Sequence, residues 1–218
     1  METVGQGDLD TIDAAALTLL GLIIGFTFSM AVGRYDQRKN YEEAEANAIG
    51  TEYSRADLLP DDTAAKLRAL LSSYIDQRIQ FYETRDQRRI GQIDADTAVL
   101  QKELWSTGLR AALAQPTPIT ALVVSGMNDV LNSQGYTQAA WLNRIPVAAW
   151  ALMQLIAIAC NLLLGYKFVA RSTGVLLILP VITSIAFFLI ADIDSPRHGV
   201  IRVLPQNLIL QSQTMKAQ

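Results

Sequence analysis

The chain has 218 residues, half of them apolar, with 18 basic and 21 acidic side chains and a formal net charge of −3. A single cysteine and a single histidine exclude a disulfide framework and a zinc site built from these two residue types. The small net charge, without a dense basic run, argues against nucleic-acid binding.

The charged residues are unevenly distributed, and the gaps between them predict membrane spans. Of these charged residues, 28 lie between positions 34 and 144. Outside that stretch, three long windows contain none, namely residues 14–33, 145–166 and 173–191. Each is about as long as a helix needs to cross a hydrocarbon layer of roughly 30 Å at about 1.5 Å per residue. The sequence therefore predicts an all-α, multi-pass membrane protein with three transmembrane helices.

The basic residues next to these windows predict the orientation. They are Arg34, Arg38, Lys39, Arg144, Arg197 and Arg202. Lys and Arg are enriched on the cytoplasmic side of membrane proteins, whereas the tail formed by residues 1–13 is acidic and has neither. We therefore expect residues 1–13 and the short turn 167–172 outside, and residues 34–144 and 192–218 in the cytosol. A cell membrane, most simply a bacterial inner membrane, is the expected location.

The first window carries a strip of small residues at every fourth position. Gly21, Gly25, Ser29 and Gly33 fall on one side of a helix, where small side chains let two backbones approach closely. The strip has two interpretations at this point. It serves helix packing within or between subunits, or it lines a narrow conduit in an oligomer.

Residues 34–144 are expected to form a helical cytosolic segment between the first and second spans. The first helix should continue to about Leu58, because a residue before a proline, here Pro60, is pushed out of helical geometry. A second helix should begin near Asp61 or Asp62 as N-cap. Arg78 lies inside its apolar stripe. We expect its head group to reach water or a carboxylate, and the alternative is contact with an anion.

The rest of this segment is predicted from breakers and charges. A third helix should run from Asp94 or Asp96 to Gln115, and the apolar residues 119–124 should open a fourth. The many charges of residues 42–60 are interpreted mostly as solvated helix faces.

The second window contains two amides and no charge. Gln154 and Asn161 stand two turns apart and share a helix face that should point into protein, either as a hydrogen-bonding contact between helices or as a pore or substrate position. All three windows lack acidic, basic and histidine side chains, which disfavours proton pumping and voltage sensing. Passive permeation past apolar and small polar walls stays open.

A turn-forming sequence follows the third window. Asp192 and Asp194 beside Arg197 and Arg202 are candidates for two ion pairs that fix the turn. Alternatively, the arginines bind lipid phosphate or attract anions. Gly199 is expected to allow a positive φ.

The stretch IADIDSPRHGVIRVLPQ, residues 190–206, resembles the closing motif of the bestrophin-like domain family. Similar landmarks are LGLIIGFTFSMA at 20–31, EAEANAIGT at 43–51 with RADLLP at 55–60, and NRIP at 143–146. The resemblance implies a multi-pass helical protein in a lipid bilayer. By analogy with true bestrophins, which are pentameric anion channels, it also implies a homo-oligomer and a small anion as the permeant species.

Two functions follow as hypotheses. The first is an oligomeric, passive channel for small anions. The alternative is a membrane-anchored scaffold or regulator whose cytosolic helices bind a partner protein. An enzyme is the least favoured function, because the sequence has no glycine-rich phosphate loop, nucleophile elbow or metal-binding cluster, and no cofactor is expected.

Overall fold

The computed structural model describes residues 6–167 and 177–217, and all the regular secondary structure among them is helical. This confirms the all-α prediction. The elements are α1 (Gln6–Arg55), a 3-10 turn (Ala56–Leu58), α2 (Asp61–Glu83), α3 (Gln87–Ala114), α4 (Pro118–Leu142), α5 (Val147–Lys167), α6 (Ile178–Asp194) and α7 (Gln206–Ala217).

Two helical stretches are long and apolar enough to cross a membrane, Thr11–Leu58 and Pro118–Tyr166. They contain the first and second predicted spans. Of the third predicted span, residues 173–176 lie outside the described residues. Residues 178–191 of this span belong to α6. Positions 168–172 of the predicted turn also lie outside the described residues. The total of three spans stays a prediction.

Pro60 separates α1 from α2 as predicted. After the 3-10 turn, Leu59 is extended, with φ −105° and ψ 160°, as expected for a residue before proline. The expectation that Asp61 or Asp62 is the N-cap is wrong, because Pro60 occupies that position. The two aspartates lie in the first turn instead, where their charge interacts favourably with the helix dipole.

The start of α3 differs from the prediction. The helix begins at Gln87, well before Asp94, because the Asp86 carboxylate caps it by accepting a hydrogen bond from the Arg88 N–H at 2.9 Å. The fourth helix exists as predicted. It starts at Pro118, and Thr117 and Thr120 form a reciprocal capping box at its N-terminus.

The chain divides into two compact units. Unit 1 comprises Met1–Tyr35 and Arg144–Ile201, and so contains the first part of α1 together with α5 and α6. Two small apolar clusters hold it together. Leu20 of α1 packs with Ala157 and Cys160 of α5. Ala31 packs with Ile145 and with α6 residues that include Ile190.

Unit 2 comprises Asp36–Asn143 and Arg202–Gln218, which contain the second part of α1 with α2, α3, α4 and α7. Within it α2 packs on α3 and on α7, and α3 packs on α4. The apolar stripe predicted for α2 forms the core. Six of its residues are buried and Leu70 is half-buried; the buried ones are Leu67, Leu71, Tyr74, Ile75, Phe81 and Tyr82. Arg78, which lies inside the stripe, is buried as well. Leu104 of α3 and Met127 of α4 are fully buried with them.

Candidate functional site

The strip of small residues on α1 is exposed along its whole length. A Cβ added at Gly21, Gly25 or Gly33 would meet no neighbouring atom of residues 6–167 and 177–217 within 4 Å. Packing among these residues therefore does not require glycine at the three positions.

The opposite side of α1 makes the contacts inside unit 1. Leu20 and Ala31 are buried there, and Thr27 is buried with its hydroxyl donating to the Ile23 carbonyl at 2.8 Å. Next to the strip runs a second row at helical spacing, Leu22, Phe26 and Met30, whose side chains are about half exposed or more. One face of α1 thus holds the unit together, and the other presents small and large apolar groups outward.

The two amides of α5 line a groove on unit 1. Its volume is about 220 Å³, and Thr183 and Ser184 of α6 line its other side. Gln154 is exposed, while the Asn161 side-chain amide donates to the Ala157 carbonyl at 2.7 Å within its own helix. A hydrogen bond from these amides to another helix stays a prediction.

Asp194 ties together three segments of unit 1. Its carboxylate lies 3.3 Å from Arg34 Nη1 near the end of the first predicted span. It also accepts the N–H of Ile145, the residue two before α5, at 3.2 and 3.1 Å. Hydrogen bonds between charged groups are stronger than neutral ones, so this buried carboxylate fixes α1, α5 and α6 relative to each other at one end.

Asp192 organises the turn that follows α6. Its carboxylate accepts the N–H groups of Val200 and Ile201 at 2.7 and 2.8 Å. Gly199 does not adopt a positive φ, contrary to expectation. It is needed for close approach, because a Cβ there would overlap the Asp192 carbonyl oxygen. Arg197 is half-buried near this turn, and Arg202 is a half-buried residue assigned to unit 2.

Arg78 belongs to a buried polar network in unit 2. Its Nε donates to Glu45 Oε1 at 2.5 Å, and its guanidinium stacks on Phe81 at 4.4 Å from the ring centroid. The same carboxylate accepts from the hydroxyls of Tyr82 at 3.3 Å and Thr137 at 3.1 Å. Contact of Arg78 with a carboxylate was one of the two sequence-based expectations, and contact with an anion stays a prediction.

The electrostatics of this network favour the ion pair. Burial alone would lower the pKa of Arg78, but the charge and hydrogen bond of Glu45, with Tyr74 and Tyr82, together outweigh it, and the pKa is raised. Burial, with the same negative charge, raises the pKa of Tyr82 and keeps its phenol protonated. The Arg78 guanidinium therefore keeps its charge beside the Glu45 carboxylate.

Half of the charged residues among 42–60 are buried, contrary to the expectation that most of them lie on solvated helix faces, whereas Glu43 and Asp57 are exposed. Glu42, Glu45 and Glu52 are all buried, on the same side of the helix as Ala46 and Ile49. The sequence alone does not identify them as buried, because charged side chains are mostly solvent-exposed. Their helical spacing among buried apolar residues was the signal that could have revealed them.

Glu42 attaches the last helix to α1. It accepts the Leu208 N–H at 2.9 Å and the Asn207 side-chain amide at 2.6 Å, and so caps the first turn of α7. Burial raises the pKa of Glu42, and the two hydrogen bonds act in the opposite direction. Near the other end of α7, the Tyr53 hydroxyl donates to the Met215 carbonyl at 3.1 Å.

A sequence model of the bestrophin-like domain matches residues 14–208, almost the whole chain. The chain belongs to the bestrophin-like family. Comparison with curated proteins gives no match.

Solved structures show which fold this bestrophin-like chain has. A bacterial bestrophin homologue from Klebsiella pneumoniae, phased with zinc, matches with a TM-score of 0.72 at 14% identity over 94% of this chain and 84% of that chain. Two single-residue variants match with TM-scores of 0.71 and 0.74 at 16% and 13% identity, over 95% of this chain and 85% and 88% of theirs. The similarity establishes a bestrophin-like fold.

Proposed function

We propose that this bestrophin-like chain is a subunit of a homo-oligomeric, passive channel for small anions. The observation that carries the proposal is the contact-free strip of α1. Small residues in register serve close approach, and no helix of the part of the chain that the structure describes makes such an approach at Gly21, Gly25 or Gly33. The strip is therefore available to a second copy, to a conduit between copies, or to both.

The composition of the spans fits passive permeation. The three uncharged windows offer no proton relay, and a passage lined by small and apolar groups can open and close by wetting. Leu22, Phe26 and Met30 provide the bulky row that such a constriction needs. The anion, and a pentamer as the assembly, come from the analogy with true bestrophins.

The proposal includes the predicted orientation. The helical segment 34–144 and the residues after 191 lie in the cytosol, and the N-terminal tail lies outside. The family and the two helices of membrane-spanning length support a membrane location.

The channel is tested by chloride flux into liposomes that contain the purified protein. We expect Gly25→Leu to reduce the flux to that of empty vesicles, because four added carbon atoms project from the middle of the strip. Gly165→Leu is the matched control, since Gly165 also lies in a predicted span and has open space around it. It should retain flux.

Two results would contradict the proposal. One is wild-type flux equal to that of empty vesicles across several lipids and pH values. The other is equal loss in both glycine variants, which would mean that any added bulk in a span disturbs the protein.

The second candidate, a membrane-anchored scaffold, is favoured by an apolar groove of about 520 Å³ between the end of α3 and the start of α4. Leu109, Pro116, Pro118 and Val124 line it, and nearby Leu113 is 72% exposed. Replacement of the spans by an unrelated membrane anchor separates the two functions. A scaffold keeps its cellular role after this replacement, whereas a channel loses it.

A further inference from the structure

Glu52 of α1 is an ionisable side chain without a hydrogen-bond partner in the interior of unit 2. The residue is fully buried, and neither carboxylate oxygen has a partner among the described residues. It lies directly against α4, since a Cβ added at Gly126 would overlap the Glu52 carboxylate. A buried polar group without a partner is rare and costs stability if it is charged.

The charges around Glu52 compensate it poorly. Arg55 on the same helix keeps its Nη1 3.9 Å from Glu52 Oε2, beyond hydrogen-bond distance, and donates instead to the Leu122 carbonyl. Asp129, the one charged residue of α4, disfavours a negative charge on Glu52. On the neighbouring 3-10 turn and α2, Asp57 and Arg68 pair with each other.

These surroundings favour the neutral form of the carboxyl group. Burial is the largest influence on Glu52 and raises its pKa, Arg55 lowers it and Asp129 raises it, and together they bring the pKa to about 8. At neutral pH the folded protein therefore holds a proton on Glu52 that an unfolded chain, with an ordinary pKa near 4.5, would release.

We propose that Glu52 is a proton-binding site that controls the packing of α1 on α4 within unit 2. The protonated carboxyl group fits the buried space beside Gly126. When the proton leaves to solvent, an anion remains there and must move toward water. A cavity of about 200 Å³ lined by Asn47, Thr51, Arg55, Gly126 and Asp129 lies next to it and can supply that water.

The direction of the effect on stability follows from proton linkage. The folded state binds the Glu52 proton more tightly than the unfolded state does. The stabilisation is complete below the unfolded pKa, declines as pH rises above it, and is lost as pH passes through about 8. Unit 2 should loosen on the alkaline side.

The test is thermal unfolding of the full-length protein in detergent between pH 6 and pH 9. We expect the wild-type Tm to fall by about 5 °C or more over this range. Glu52→Gln, whose amide resembles the protonated carboxyl group, should flatten the curve. The control is Glu43→Gln on the exposed side of α1, which should follow the wild type.

A second variant and a spectroscopic readout cover the case in which Glu52→Gln does not fold. Asp129→Asn should move the fall to lower pH. Infrared spectra of the wild type should show a protonated carboxyl band at pH 7 that disappears at pH 10. Superimposable curves for the wild type and either variant, without such a band, would overturn the proposal. The measurement does not involve transport, so it stands apart from the channel hypothesis.

Discussion

At the level of single residues, three buried acidic groups of α1 lie in three different environments in unit 2. Glu45 pairs with Arg78, Glu42 caps a helix, and Glu52 has no hydrogen-bond partner among the described residues. Removing one member of a buried ion pair leaves the other charge uncompensated, which costs far more than removing an exposed charge. The importance of each acid to stability therefore depends on its partner.

The Glu45–Arg78 pair gives a prediction at this level. Glu45→Gln should lower the free energy of unfolding by about 3 kcal/mol, because the Arg78 cation stays buried without its counterion. Denaturant unfolding of the purified protein measures this loss. The double variant Glu45→Gln, Arg78→Met should recover part of it, since no charge is then left behind. If Glu45→Gln is no less stable than Glu43→Gln, the pair does not have this role.

At the level of helices, α7 depends on a side chain from another element for its N-cap. Glu42→Ala removes the acceptor of the Leu208 N–H. Loss of a cap costs roughly 1 kcal/mol, so amide hydrogen exchange in residues 206–217 should accelerate about fivefold. Exchange in α3 should stay unchanged. Glu43→Ala serves as the control, and equal exchange in α7 in the two variants would show that the cap does not hold the helix.

Helix ends were predictable where a covalent constraint sets them and not where a side chain does. Pro60 and the Gln-Pro-Thr-Pro sequence at 115–118 mark helix boundaries through steric effects that any sequence shows. The start of α3 depends on the Asp86 carboxylate reaching one backbone N–H. Asp94 and Asp96 are residues of the same type and are equally capable of capping a helix. Only the three-dimensional structure shows that Asp86 is the N-cap.

The candidate site was predictable to a similar extent. The strip from Gly21 to Gly33 follows from spacing alone, because positions four apart share a helix face. Its freedom from contacts within the chain could not be foreseen. The contact between Asp194 and Arg34 could not be foreseen either, because the two residues are 160 positions apart and other arginines lie closer to Asp194 in the sequence.

At the level of the whole molecule, the proposed orientation can be measured by labelling. After Cys160 is replaced by serine, a cysteine is introduced as Gly7→Cys in the N-terminal part of α1 or as Ala95→Cys in α3, both exposed positions. An impermeant thiol reagent added to intact cells should modify only the first variant, because the bilayer shields the cytosol.

Permeabilised cells provide the control for this labelling. Both cysteines should react once the membrane is opened. Modification of Ala95→Cys in intact cells would mean that the helical segment lies outside, which would reverse the orientation.

The Asp194 contact has a consequence for synthesis. A ribosome adds about 5 to 20 residues per second, so on the order of ten seconds or more separates the appearance of Arg34 from that of its carboxylate partner. During this interval Arg34 cannot pair with Asp194, because Asp194 has not been synthesised. Glu42 likewise cannot cap α7 before that helix has been synthesised. Assembly of both units must therefore wait until α6 and α7 have left the ribosome.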